Sequence, residues 1–257
     1  MEKLILRAIP GQHWLRFVFF ETASTDEIQY PFTPKASMPP ILIFDVNETL
    51  LDLGSLDPHF ERAFGTTAAR QEWFAQLLQT AFATTILGNY SDFGVLGRAA
   101  LEAVAARRNQ PLSDPQRAEI FAALRTLPAF PDVKPGLERL RQGGFRLAAL
   151  TNSAPAMVDT QLANAGLLPY FERVFSVDAV RRYKPAPEPY RMAAAELGVL
   201  TSDLLMVAAH AWDVAGAMAA GCGGAFISRP GKVLDATTPQ PTHIASDIAD
   251  LASRLCK

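Results

Sequence analysis

Apolar residues recur along this chain in two alternating rhythms. Short unbroken runs, "ILIF" (41–44), "RLAALTN" (146–152), "LLMVAAH" (204–210) and "GGAFISR" (223–229), predict strands covered on both faces, as in a parallel sheet. Between them, "APAMVDTQLANAGL" (154–167) and "PYRMAAAELGVL" (189–200) place apolar residues three and four apart, the spacing of helices. "HIASDIADLASRL" (243–255) closes the chain with a short strand and a helix. Strands alternating with helices predict an α/β fold with a doubly wound parallel sheet.

One interval breaks the rhythm. Residues 55–130 hold no strand-like run; "RQEWFAQLLQTAFATTIL", "LGRAALEAVAARR" and "DPQRAEIFAALRTL" read as amphipathic helices, the last with Asp114 as N-cap and Pro115 at its first position. The pattern predicts a helical cap at 55–130, inserted into a core of 39–54 and 131–257 and lying over the carboxyl ends of the strands. Residues 1–38 differ from the rest. "STDEIQYPFTPKASMPP" reads as a linker, and Met38 offers an alternative translation start, so 1–38 is expected to be an extension.

Composition narrows the function classes. The chain has 257 residues, 49% of them apolar, enough for a core domain carrying an insert. A net charge of −2 without a basic block argues against nucleic acid and anionic membrane surfaces as partners. No apolar run reaches the roughly 20 residues of a membrane span, and no small-residue cleavage site follows the N-terminal apolar stretch, so a cytoplasmic protein is expected. Cys222 and Cys256 form no CxxC, and the four histidines are scattered, which gives neither a zinc signature nor a disulfide framework.

The candidate chemistry sits where the strands end. Asp45 follows the first apolar run, with Thr49 four residues on; Thr151, Asn152 and Ser153 follow the second. Lys184 lies in a proline-stiffened loop, and His210 and Asp213 follow the third of the long runs. Each alone has a bland explanation: a strand ending at charge, a helix cap, a solvated lysine. A doubly wound sheet would bring all of them to one crevice.

In that order the residues resemble the haloacid dehalogenase superfamily: "FDVNETLLD" its first motif, "LTNS" its second, "YKPAPEPY" its third and "VAAHAWDVAGAMAAG" its fourth. The resemblance implies Asp45 as nucleophile, but superfamily members differ in reaction. A magnesium-dependent phosphatase of this type has a second Asp where this chain has Asn47, and an acidic pair where Asp213 stands alone behind Ala208 and Ala209. Trp212, Asp213, Gly216, Lys184 and Tyr190 instead resemble type II 2-haloacid dehalogenases. That resemblance implies a cofactor-free and metal-free hydrolase converting a short 2-haloacid into a 2-hydroxyacid and halide through an ester on Asp45. Water oriented by Asp213 would hydrolyse the ester, and Lys184 would stabilise the charge that develops. Asn47, Thr49, Thr151, Asn152, Ser153, His210, Trp73, Phe74 and Tyr190 are then the expected substrate contacts, and a homodimer is the expected assembly.

The chain also departs from that pattern. Asn47-Glu48 replace a Tyr-Gly pair, Ala208 and His210 replace Ser and Asn, and Phe74, beside Trp73, stands where an arginine collects halide, with Arg70 a turn earlier as a substitute. His210 is expected to donate to halide or to a carboxylate, and Glu48 to point away from the nucleophile. Trp73, Phe74 and Phe82 are expected to form an apolar lid. A phosphatase with a degraded metal site and a non-catalytic binder are the alternatives.

Overall fold

The computed structural model describes residues 40–257, and the expectation for residues 1–38 lies outside them. Six strands, β1 (Ile41–Phe44), β2 (Leu147–Thr151), β3 (Arg173–Ser176), β4 (Leu204–Ala208), β5 (Gly223–Ile227) and β6 (His243–Ala245), form one sheet in the order β3-β2-β1-β4-β5-β6. Every pairing is parallel, with Ile43 opposite Ala148 on one side and Met206 on the other. The chain winds outward from β1 in one direction and from β4 in the other. The switch point between β1 and β4 therefore opens a crevice at their carboxyl ends.

Strand alternation divides the core. Leu42, Phe44, Leu147, Ala149, Leu205 and Val207 pack into one cluster; Ile41, Ile43, Ala148, Leu150, Leu204 and Met206 pack into another. Helices α5 (Val133–Gln142), α6 (Pro155–Asn164) and α9 (Ile248–Leu255) cover the first, whereas α7 (Pro187–Leu197) and α8 (Ala211–Ala219) cover the second. Both faces are dry, which is why these strands read as unbroken apolar runs.

Between β1 and β2 the chain inserts the helical cap: α1 (Asp57–Phe64), α2 (Ala68–Leu87), α3 (Phe93–Arg107) and α4 (Asp114–Ala123). Phe60 packs against Phe64 and Trp73, and the indole Nε1 of Trp73 donates to the Gly97 carbonyl at 2.9 Å, tying α2 to α3. No helix among the described residues is long and apolar enough to cross a membrane.

The structure corrects the local reading in two places. β3 was not expected; it is an edge strand of four residues opening with exposed Arg173, and its polar start hides it from apolar-run counting. The cap of α4 is Ser113 rather than Asp114, with Ser113 and Gln116 closing a reciprocal capping box that leaves Pro115 inside the first turn.

Candidate active site

Asp45 leaves β1 with its backbone N–H on the Val207 carbonyl, at the switch point. Its side chain is nearly buried, and protein donors approach both oxygens. Lys184 Nζ donates to Oδ1 at 2.9 Å; the Thr49 hydroxyl donates to Oδ2 at 2.7 Å, and His210 Nδ1 lies 3.2 Å from the same oxygen. Lys184 is fully buried, and its three N–H bonds are all used, on Asp45, on the Leu150 carbonyl at 2.9 Å and on Asp213 Oδ2 at 2.6 Å. Asp213, in the first turn of α8, receives the Tyr190 hydroxyl on Oδ1 at 2.6 Å and is completely enclosed.

These groups set one another's protonation. Burial pushes Asp45 up, but the Lys184 charge and the His210 and Thr49 hydrogen bonds outweigh it and hold the carboxyl below the usual range. Asp213 goes the other way. Burial, with the Asp45 charge added, outweighs Lys184 and raises it. Burial disfavours the charged form of Lys184 too, yet the Asp213 and Asp45 carboxylates hold its pKa above the ordinary value. Asp45 is thus the more acidic member of the pair.

Lys184 owes its position to a close approach behind it. Gly216 of α8 backs onto Pro185; a Cβ there would lie 2.4 Å from Pro185 Cβ and 2.7 Å from its carbonyl oxygen. Gly216→Ala must therefore shift the loop that carries Lys184. A shift of about 1 Å at such a site costs on the order of 10²-fold in rate. The measurement is kcat/KM beside a thermal melt, and wild-type values for both would refute the positioning role of Gly216.

Several expected substrate contacts turn out to be internal supports. Thr49 is fully buried, its hydroxyl also accepting the Ala209 N–H at 3.0 Å, so its bond in this structure goes to Asp45. Thr151 accepts the Ser153 N–H, and Asn152 Oδ1 accepts the Lys184 N–H at 3.0 Å. Tyr190 is enclosed against Asp213. Asp213, expected to orient water, has no exposed surface, and its two carboxylate oxygens accept Lys184 Nζ and the Tyr190 hydroxyl.

The contacts that do border open space are Asn47, Ser153, Trp73 and Phe74. They line a cavity of about 360 Å³ together with Leu77, Phe93 and Leu124, with the exposed Arg98 and Arg125 among its lining. The Asn47 amide donates to Ser153 Oγ at 3.2 Å, joining the β1 and β2 loops at the cavity floor. Phe82 packs edge-on against Trp212, a cap–core contact outside this cavity.

Two further residues were not assigned from sequence. Arg229 donates through Nε and Nη2 to the Thr49 carbonyl and pairs with Asp132, locking the turn behind Asp45. Glu48, expected to point away, points in: its Oε2 lies 2.9 Å from His210 Nε2, and it pairs with Lys232. Arg70 is engaged by Asp57 and lies 3.7 Å from Glu48, so it does not stand free as a halide site. Glu48 also has φ of 63°, left-handed backbone that costs a non-glycine residue about 1 kcal/mol or more. A charged residue at a position that resembles a glycine was the signal available in the sequence.

A model of the haloacid dehalogenase-like hydrolases matches residues 40–221, and the chain belongs to that family. It is 32% identical over 190 residues to the (S)-2-haloacid dehalogenase of Xanthobacter autotrophicus, covering 73% of this chain and 74% of the relative. Identity to (S)-2-haloacid dehalogenase 2 of Pseudomonas sp. strain CBS-3 is 28% over 217 residues, covering 83% and 94%. Among solved structures, the L-2-haloacid dehalogenase of X. autotrophicus superposes with a TM-score of 0.78 at 27% identity, over 84% of this chain and 98% of that one.

Proposed function

We propose that the protein is a hydrolase of carbon–halogen bonds that converts a 2-haloacid to a 2-hydroxyacid through an ester on Asp45. The observation that carries this reading is the Asp45–Lys184–Asp213 chain, an ionised carboxylate held at a strand end by a single shared ammonium. Its donor chemistry suits carbon better than phosphorus. Asp213 stands alone behind Ala208 and Ala209, and Lys184 already bridges it to Asp45, a poor start for the several oxygen ligands that Mg²⁺ demands. Asn47, two residues after the nucleophile, has no proton to give a phosphate leaving group.

Asp45 Oδ2 takes two donors, while Oδ1 takes only Lys184 among the described residues and keeps a lone pair. Oδ1 therefore attacks C2; the new O–C bond forms as the C–halogen bond breaks, and halide leaves with the electron pair. Water then adds to Cγ, the Cγ–Oδ1 bond breaks, and Oδ1 departs as the hydroxyl of the product. One water proton goes to that hydroxyl and the other to solvent. The substrate carboxylate fits the floor between Ser153 and the amino end of α6, where the helix dipole favours an anion. The apolar walls of Trp73, Phe74 and Leu77 take the substituent on C2, and their cavity has room for more than a methyl group.

The test is halide release from chloroacetate, both enantiomers of 2-chloropropionate and 2-bromohexanoate, with EDTA present. Release that survives EDTA is expected. A single turnover in H₂¹⁸O should put the label into Asp45 and leave the first product unlabelled. Label in that first product would rule out the ester.

A further inference from the structure

We propose that imidazolium His210, together with Thr49, is the oxyanion site for hydrolysis of the Asp45 ester, and that Glu48 is the positioning residue that keeps His210 charged. The inference rests on the hydrolase reading above; it gives Glu48 a task that the chain's resemblances leave open and gives His210 a different one from the halide or substrate contact expected of it. Three observations carry it.

The first is the placement of both ring nitrogens. Nδ1 faces Asp45 Oδ2 at 3.2 Å and Nε2 faces Glu48 Oε2 at 2.9 Å, so a neutral ring would turn a lone pair against one carboxylate. Only the doubly protonated ring satisfies both, although it is almost wholly buried. The second is convergence on one oxygen. Thr49 Oγ1 and His210 Nδ1 both aim at Oδ2, the oxygen left as the ester carbonyl once Oδ1 has attacked, and the atom on which negative charge grows when water adds. The third is the left-handed backbone of Glu48, held in the tight turn by its N–H on the Leu51 carbonyl at 2.8 Å. Strained positions of this kind cluster at functional sites.

The surrounding charges fit the assignment. Asp45 comes from the end of β1 and Glu48 from the following turn; Lys232, from the loop after β5, and Arg70, from α2, face Glu48; Lys184 and Asp213 face Asp45 from the other side. Burial opposes charge on His210, but the Asp45 and Glu48 hydrogen bonds prevail and raise its pKa above the ordinary 6.5. Ester formation removes the Asp45 charge, and Glu48 is then the one carboxylate still holding the ring protonated. Donors on Oδ2 stabilise the free carboxylate and the tetrahedral oxyanion, and they do nothing for alkylation. Their loss must therefore slow the second step alone.

The experiment is rapid-quench kinetics of halide and hydroxyacid on the wild type, His210→Ala and Glu48→Gln, with intact-mass detection of esterified enzyme. Expected in both variants is a halide burst of about one per site, no slower than wild type, followed by hydroxyacid formation slowed about 10²-fold. In Glu48→Gln the hydrolysis rate should recover only in acid, below the ordinary histidine range, because burial opposes the charged ring once its carboxylate partners are gone; a purely structural defect would not recover. Parallel loss of both steps, no ester accumulation, or no recovery in acid would overturn the assignment in an enzyme whose wild type still turns over. A wild type that releases no halide overturns the hydrolase reading and this one with it.

Discussion

Asp45→Asn is expected to abolish halide release, with a loss of about 10⁴-fold or more, the scale seen when a nucleophile is removed from a covalent mechanism. The amide has nearly the same shape, so the fold around it should persist. Lys184 keeps Asp213, and His210 keeps Glu48, so neither cation is stranded. What disappears is the ionised oxygen whose pKa those same groups hold down. Halide release measured with an ion-selective electrode, beside a thermal melt, separates lost chemistry from lost structure. A folded variant retaining a tenth of wild-type activity would exclude Asp45 as the nucleophile.

Lys184→Met is expected to damage both chemistry and stability. The ammonium is fully buried between the carboxylates of Asp45 and Asp213 and also satisfies the Leu150 carbonyl. Removing one member of a buried ion network leaves uncompensated charge, at a cost of about 3–5 kcal/mol. For a domain of this size that lowers the melting temperature by roughly 10 °C. Part of the loss returns when a carboxylate takes up a proton, and Asp213, already raised by burial and by Asp45, is the group that does so first. The destabilisation should therefore shrink as pH falls, while activity stays absent. A melting temperature equal to wild type at neutral pH would mean that Lys184 is not the cation on which this pair depends.

The departures from the resembled pattern acquire a common sense in three dimensions. Phe74, at the arginine's place, packs beside His210, and His210 stacks in turn on Trp212. Glu48 reaches the same ring from the turn after β1. Three positions that look like unrelated losses in the sequence are neighbours around one imidazole. Reading them singly gave a missing halide arginine, a lost asparagine and an idle glutamate.

What the sequence determined by itself was the scaffold and the order of the chemistry along it. Apolar runs such as "ILIF" report burial on both faces, and burial on both faces defines a parallel strand, so β1, β2, β4 and β5 were legible along with the helical insert. Asp45, Lys184 and Asp213 were legible because strand ends in a doubly wound sheet meet at one crevice. The edge strand β3 escaped because a half-exposed strand has no unbroken apolar run. Only the tertiary structure decided which way each polar group points. Asp45 and Glu48 lie more than a hundred residues in sequence from Lys184 and His210, and these partnerships follow from sheet register and loop packing, which local periodicity does not encode. Thr49 and Tyr190 became buried supports for the same reason, and Glu48 became the ion partner of His210 because a left-handed turn swings its side chain back toward Asp45.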